Sequence, residues 1–94
     1  MSYELAFKES ALKEWRKLDE SVRNQFKKKL AERLEQPRIE ADRLRSLPDC
    51  YKIKLRYAGY RLVYQVEDQH ILVTVVAVGR RDRLSVYRSA EKRV

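Results

Sequence analysis

Between Cys50 and Tyr64 the chain reads CYKIKLRYAGYRLVY, and four cations punctuate it: Lys52, Lys54, Arg56 and Arg61. Strand alternation puts Ile53 and Leu55 on one face and Lys52, Lys54 and Arg56 on the other. A two-residue turn at Ala58-Gly59 predicts a hairpin that opposes Leu55 to Leu62, Ile53 to Tyr64 and Arg56 to Arg61. A three-residue turn would set Lys54 against Leu62 and mix the two faces. Like charges directly across a hairpin are destabilising. Four cations kept on one sheet face therefore imply a polyanionic partner. Their chemistry is restricted by what is missing. No Asp or Glu alternates onto this face between positions 50 and 66, and the only histidine, His70, falls in a predicted turn. The imidazole pair and the carboxylate base are thus excluded, leaving Lys, Arg and Tyr to act on a phosphate.

A few elements must position that face. Tyr3 to Phe7 predicts a short first strand. From Glu9 to Leu18, the residues Ala11, Leu12, Trp15 and Leu18 form one apolar stripe of helical period. Asp19 or Ser21 caps a second helix, in which Val22, Phe26, Leu30 and Leu34 recur every four residues and which Pro37 stops. Residues 38–49 are polar and basic, with Leu44 and Leu47 as anchors, and Pro48-Asp49 leads into the hairpin. Glu67-Asp68-Gln69-His70 turns the chain into ILVTVVAV, Ile71 to Val78, whose unbroken apolar, β-branched character predicts a central strand covered on both faces. Gly79 is expected to end it. Arg80 to Arg83 form a basic exit, and Leu84 to Val94 predicts a short terminal helix.

The order β-α-α-β-β-β-α defines an α+β fold, a small single domain over residues 1–94. Two N-terminal helices pack on a mainly antiparallel four-stranded sheet. The apolar hairpin face meets these helices, and the cationic face is expected to stay open. Trp15, Phe26, Tyr60 and Tyr64 sit at core periodicity. Tyr51 and Tyr57 carry no assignment, Cys50 reads as a small buried residue and His70 as a turn residue.

Twenty-two Lys and Arg stand against fourteen Asp and Glu, a net charge of +8. The first 47 residues hold twelve basic and nine acidic side chains, the rest ten and five. Helical pairs such as Glu9 with Lys13 and Lys28 with Glu32 can cancel charge in the first half. The second half has no such recourse, and nucleic acid leads its possible partners, ahead of an anionic membrane surface or an acidic protein segment. A hydrophobic fraction of 44% suffices for a core and argues against a disordered basic tail. A single cysteine excludes an intramolecular disulfide, offers no metal-ligand cluster and suits a reducing compartment. No metal or cofactor is expected. The absence of a long apolar run points to a cytosolic protein rather than a membrane one.

The runs ALKEWRKL (11–18), PRIEADRLR (37–45), PDCYKIKLR (48–56), GYRLVYQV (59–66) and VGRRDRLSVY (78–87) closely resemble the RelE family of bacterial toxins over essentially the whole chain. That resemblance implies a fold like the small microbial ribonucleases and cleavage of messenger RNA in the ribosomal A site, against 16S ribosomal RNA. It also implies inhibition by a RelB-type antitoxin and, through the antitoxin, binding of the complex to operator DNA. Lys52 and Lys54 match the family's two active-site lysines. Arg61 matches the arginine that contacts the scissile phosphate, Arg81 the one near the leaving oxygen, and Tyr87 the aromatic near the substrate base and sugar. Arg45 matches a basic residue of the RNA-binding surface. Arg56, Arg80 and Arg83 are expected to attract phosphate more generally. Lys27, Lys28 and Lys29 are either the wet side of the second helix or a ribosomal RNA contact.

Cleavage of this kind needs the 2′-hydroxyl deprotonated, the phosphorane stabilised and the leaving 5′-oxygen served. Crowded cations favour a neutral amine, so Lys54, two residues from both Lys52 and Arg56, is the expected base. Lys52 and Arg61 would hold the transition-state charge. Arg81 would serve the leaving oxygen, either as donor or by stabilising the oxyanion while water supplies the proton, since a guanidinium is a very weak acid. Tyr87 either stacks on a base or hydrogen-bonds the 2′-hydroxyl. Two other functions compete: a toxin of the same fold that binds without cutting, as gyrase-inhibiting ParE relatives do, and a plain nucleic-acid-binding module.

Overall fold

Ile53, Leu55, Leu62 and Tyr64 are buried on one side of the hairpin, and the sheet is built outward from that apolar face. The computed structural model describes residues 2–80 and 85–94. Its elements follow the order β1 (Glu4–Phe7), α1 (Glu9–Arg16), α2 (Glu20–Glu35), β2 (Cys50–Leu55), β3 (Tyr60–Glu67), β4 (Leu72–Arg80) and α3 (Ser85–Arg93), with one 3-10 turn at Glu40–Asp42. The four strands lie in the order β1-β4-β3-β2. β2, β3 and β4 are antiparallel, while β1 returns parallel to β4 and pairs Glu4 with Leu72.

α1 and α2 cover one face. Ala11, Trp15, Leu18, Val22, Phe26 and Leu30 pack there against Tyr51, Ile53, Leu55, Leu62, Tyr64, Val66, Val73, Val75 and Val78. Phe7, Trp15 and Phe26 form a tilted aromatic chain within this core, with ring centroids 5.2 and 6.3 Å apart. Asp19 occupies the N-cap position of α2, although its side chain makes no capping hydrogen bond.

The opposite face is not left open. α3 lies across it, and Val86 and Ala90 join Leu47, Cys50, Val63, Val76 and Ala77 in a second core, flanked by Leu44 and Tyr87. The apolar residues on this face were masked in the sequence by the cations that share it. A bulge makes the second core possible: Val63 pairs with Ala77 but Tyr64 with Val75, which leaves Val76 unopposed. Val75 consequently faces α1 and α2 while Val76 and Ala77 both face α3. β4 is therefore buried on both sides, as its unbroken apolar run requires.

Two further expectations are corrected. The hairpin register is shifted by two residues: Leu55 pairs with Tyr60, Lys54 with Arg61 and Ile53 with Leu62, around a four-residue turn at 56–59. A two-residue primed turn favours positive φ at its first central residue, yet of Ala58 and Gly59 only Gly59 has it, at 70°. Nor does Gly79 end β4, which continues to Arg80. A Cβ on Gly79 would meet Val86 Cγ2 at 3.3 Å, so the glycine serves the close approach of α3 rather than a turn.

The helical charge pairs expected at Glu9–Lys13 and Lys28–Glu32 are not among the ion pairs of the described residues. Exposed pairs of that kind gain little against side-chain entropy. Arginines reach instead across the fold. Arg38 bridges Asp49 and Asp68 and donates to the Tyr51 hydroxyl at 3.2 Å. Arg33 pairs with Asp42 at 2.6 Å, donates to the Tyr64 hydroxyl at 2.8 Å and to the Lys52 carbonyl at 3.2 Å. The Tyr64 hydroxyl in turn donates to the Pro37 carbonyl at 2.6 Å.

Arg33→Ala removes three of these contacts at once and leaves Asp42 and the edge of β2 unserved. Urea unfolding is expected to show a loss of about 2 kcal/mol, reduced from the fully buried case because Asp42 is partly wet.

Candidate functional site

β2 and β3 carry the cationic cluster. Lys52 and Lys54 project from β2 on the α3 face, and Arg61 projects from β3 directly opposite Lys54. On its other side Arg61 pairs with Gly79 of β4. Like charges thus stand side by side across one hairpin. Among the described residues, none of Lys52, Lys54, Arg56 and Arg61 belongs to an ion pair. The repulsion has a measurable consequence. The Lys54 ammonium is held below the ordinary lysine range, first by the charge of Lys52, then by partial desolvation and by Arg61, with Arg56 adding to the effect.

α3 brings a phenol to this cluster. Arg61 Nη1 donates to the Tyr87 hydroxyl at 2.7 Å, and the guanidinium carbon lies 5.6 Å from the Tyr87 ring centroid. Arg61 Nε is buried and has no hydrogen-bond partner among the described residues. The phenol thus fixes the direction in which the guanidinium is presented. The missing side chain of Gly79 allows α3 to settle close enough for this contact.

Lys52, Lys54, Arg61 and Tyr87 are accordingly brought together on one face. Arg56 lies exposed in the turn beyond them, beside the wholly exposed Tyr57. Arg80 pairs with Tyr60 and lies over its ring at 5.6 Å, on the side of the sheet that faces α1 and α2. Arg45 lines a separate hollow of about 490 Å³ with Glu40, Ala41 and Arg43. Lys27 and Lys28 are exposed on α2, whose helix packs on the far side of the sheet. Arg81 and Arg83 lie outside the described residues.

Two further basic residues adjoin the cluster: Lys29, which belongs to the exposed Lys27-Lys28-Lys29 run, and Arg33, which the sequence did not single out. Lys29 and Arg33 of α2 line a hollow of about 200 Å³ together with Asp42, Ile53, Lys54 and Arg56. Their four-residue spacing on α2 was the available signal, but the helix had to be placed against the edge of β2 before it meant anything. Cys50, by contrast, is fully buried, and burial pushes its thiol up to about 11, so it is a packing group and not a nucleophile.

The arrangement can seat a phosphodiester between two amines and a guanidinium, with the lowered Lys54 ammonium beside Arg61. It is an open face rather than a cleft, and the strand presented to it must be held in place by something else.

The family model described as the ParE toxin of the type II toxin-antitoxin system parDE matches residues 5–85. The mRNA interferase toxin RelE of Escherichia coli K12 is 63% identical over 94 residues, covering 100% of this chain and 99% of that protein. An arginine-to-alanine double mutant of E. coli toxin RelE in the free state superposes with a TM-score of 0.93 at 61% identity, over 100% of this chain and 99% of the other. The toxin of the intact E. coli RelBE toxin-antitoxin complex gives 0.84 at 63% identity, over 87% of this chain and 100% of the other.

If Lys52 is the main source of the depression at Lys54, Lys52→Met should move the Lys54 titration upward, towards the ordinary lysine range. Side-chain carbon NMR through an alkaline titration reads this directly. An unchanged Lys54 midpoint would assign the depression to desolvation instead.

Proposed function

The chain belongs to the RelE/ParE family of type II toxins, and on that footing we propose that it is a metal-independent endoribonuclease that cuts mRNA in the ribosomal A site. The observation that carries this reading is the Lys54–Arg61 pair, flanked by Lys52 and capped by Tyr87, with a depressed amine at its centre. A guanidinium held by a phenol directly beside two lysines without counter-ions among the described residues gathers, on one face, the groups that a phosphorane needs. The 63% identity to an mRNA interferase over the whole chain sets this reading above a toxin that binds without cutting.

In the proposed reaction Lys54 takes the proton of the 2′-hydroxyl, whose oxygen attacks the adjacent phosphorus. Lys52 and Arg61 hold the added negative charge of the phosphorane. The bond from phosphorus to the 5′-oxygen breaks, and that oxygen takes a proton from water or from Arg81. The products are a 2′,3′-cyclic phosphate and a 5′-hydroxyl. Tyr87 keeps Arg61 in place and contacts the nucleotide by stacking or through its hydroxyl. Arg45, Arg56 and Arg83 serve the surrounding mRNA and ribosomal RNA phosphates, and Arg80, Lys27 and Lys28, on the α1 and α2 side of the sheet, serve ribosomal RNA. An amine base and a guanidinium are poorly matched to neutral pH, so the ribosome contributes much of the rate by holding the message in an attackable shape.

The partner in the resting state is a RelB-type antitoxin, and the toxin–antitoxin complex binds operator DNA through it. The toxin acts in the bacterial cytoplasm. No helix among the described residues is long and apolar enough to cross a membrane.

Lys54→Ala is expected to slow cleavage on programmed ribosomes by at least about 100-fold while ribosome binding persists. A variant that cuts at the parental rate would remove Lys54 from the role of base. On naked RNA at physiological salt, turnover should be negligible, and rapid site-specific cutting there would contradict the dependence on the ribosome.

A further inference from the structure

Glu14 on α1 and Arg93 in the last turn of α3 belong to opposite faces of the sheet, yet they meet at a single place on β4. Arg93 Nη1 donates to Glu14 Oε1 at 2.8 Å and to the Val76 carbonyl at 2.9 Å, while Nη2 reaches Glu14 Oε2 at 3.2 Å. Glu14 Oε1 also accepts from the Val78 N–H at 3.2 Å. The location explains the need. β1 pairs with β4 only as far as Val75. Beyond it β4 has no strand on that side, and Val76 is the residue the bulge leaves unopposed. The carboxylate and the guanidinium supply the donors and acceptors that a fifth strand would have supplied.

Among the described residues, the apolar grip of α3 on the sheet rests on small side chains. Its buried apolar side chains are Val86 and Ala90, both small, and a nine-residue helix is marginal by itself. Its polar contacts stand at its two ends: Tyr87 on Arg61 near the start, Arg93 on Glu14 at the finish. Bidentate arginine–carboxylate pairs are the stronger, geometrically specific kind, and here both side chains are mostly shielded, 22% and 32% exposed.

We propose that Glu14 and Arg93 are positioning residues for the cationic site: their ion pair, seated on the unpaired edge of β4, fixes α3 and thereby holds Tyr87 against Arg61. Neither touches the substrate. The inference deepens the proposed nuclease function and rests on it only where cleavage is the readout.

The test uses the full chain with Arg93→Met, Glu14→Gln and Arg93→Lys. Hydrogen exchange of the α3 amides 86–93 should quicken by roughly tenfold in Arg93→Met, with β3 amides changed by less than about twofold. The Arg61 Nε–H resonance, shielded in the parent, should exchange with solvent in the same variant. On programmed ribosomes kcat should fall by roughly tenfold with KM within about twofold, since a displaced Arg61 costs orientation and not affinity. Glu14→Gln should act alike, and Arg93→Lys, which keeps the charge but loses the fork, should recover part of each effect. Unchanged α3 exchange and an unchanged Arg61 signal in Arg93→Met would overturn the proposal. So would protection lost evenly over β3 and α3, which marks a general loss of stability. Should Arg93→Met fail to fold, Arg93→Lys decides by the same comparison. If the parent chain cuts no RNA, the nuclease reading falls, and the exchange measurements still judge the role of Glu14 and Arg93.

Discussion

One sheet face must satisfy two opposed demands. Near Cys50, Val63, Val76 and Ala77 it is apolar enough to hold a helix, and near Lys52, Lys54 and Arg61 it gathers charges that repel one another. Arg61 stands at the seam. It is flanked by Lys54 on one strand and Gly79 on the other, and its guanidinium is engaged by Tyr87 from the helix above. Without α3 the arginine would be free to swing into solvent and relieve the crowding. With α3 in place the guanidinium stays beside Lys54, adding to the pressure that Lys52 already puts on that ammonium.

Charge elsewhere is spent differently. Arg33, Arg38 and Arg93 each meet at least one carboxylate on another element, and each also donates to a tyrosine hydroxyl or a backbone carbonyl. These arginines are struts, held in place and neutralised locally. Acidic residues are thereby drawn to the helices, loops and edges, away from the α3 face of β2 and β3. The net charge of +8 is thus a poor description of the molecule. What matters is that the struts hold Asp42, Asp49, Asp68 and Glu14 away from this face, and that the lysines of β2 have no counter-ion among the described residues.

Much of this was legible in the sequence because alternation and helical period are local. The buried faces of α1, α2 and the hairpin, the central place of β4 and the grouping of Lys52, Lys54 and Arg61 all follow from spacing. The register error did no harm to the faces, since a shift of two residues returns every side chain to the same side. Its cause was a turn judged by the dipeptide Ala58-Gly59, where the alanine does not adopt the conformation a two-residue turn needs. The position of α3 was hidden for another reason. Val63 and Cys50 share a face with lysines, so the strand pattern announced charge and concealed a second core. Glu14 and Arg93 were beyond reach, because their meeting depends on a bulge and on where β1 stops. The order of elements and the resemblance to RelE proteins pointed to the fold; the resemblance also supplied Tyr87, whose contact with Arg61 no spacing rule would have found.

The parallel pairing of β1 with β4 sets the order in which a nascent chain can mature. Glu4 emerges early but its partner Leu72 comes late, and the hairpin of β2 and β3 can form long before the strand that must lie between it and β1. During synthesis the lysines are therefore mounted on an unfinished sheet, with no neighbour for the outer edge of β3 and no phenol above Arg61. Competence arrives late and nearly all at once, when β4 and α3, in the last quarter of the polypeptide, close the layers on both sides.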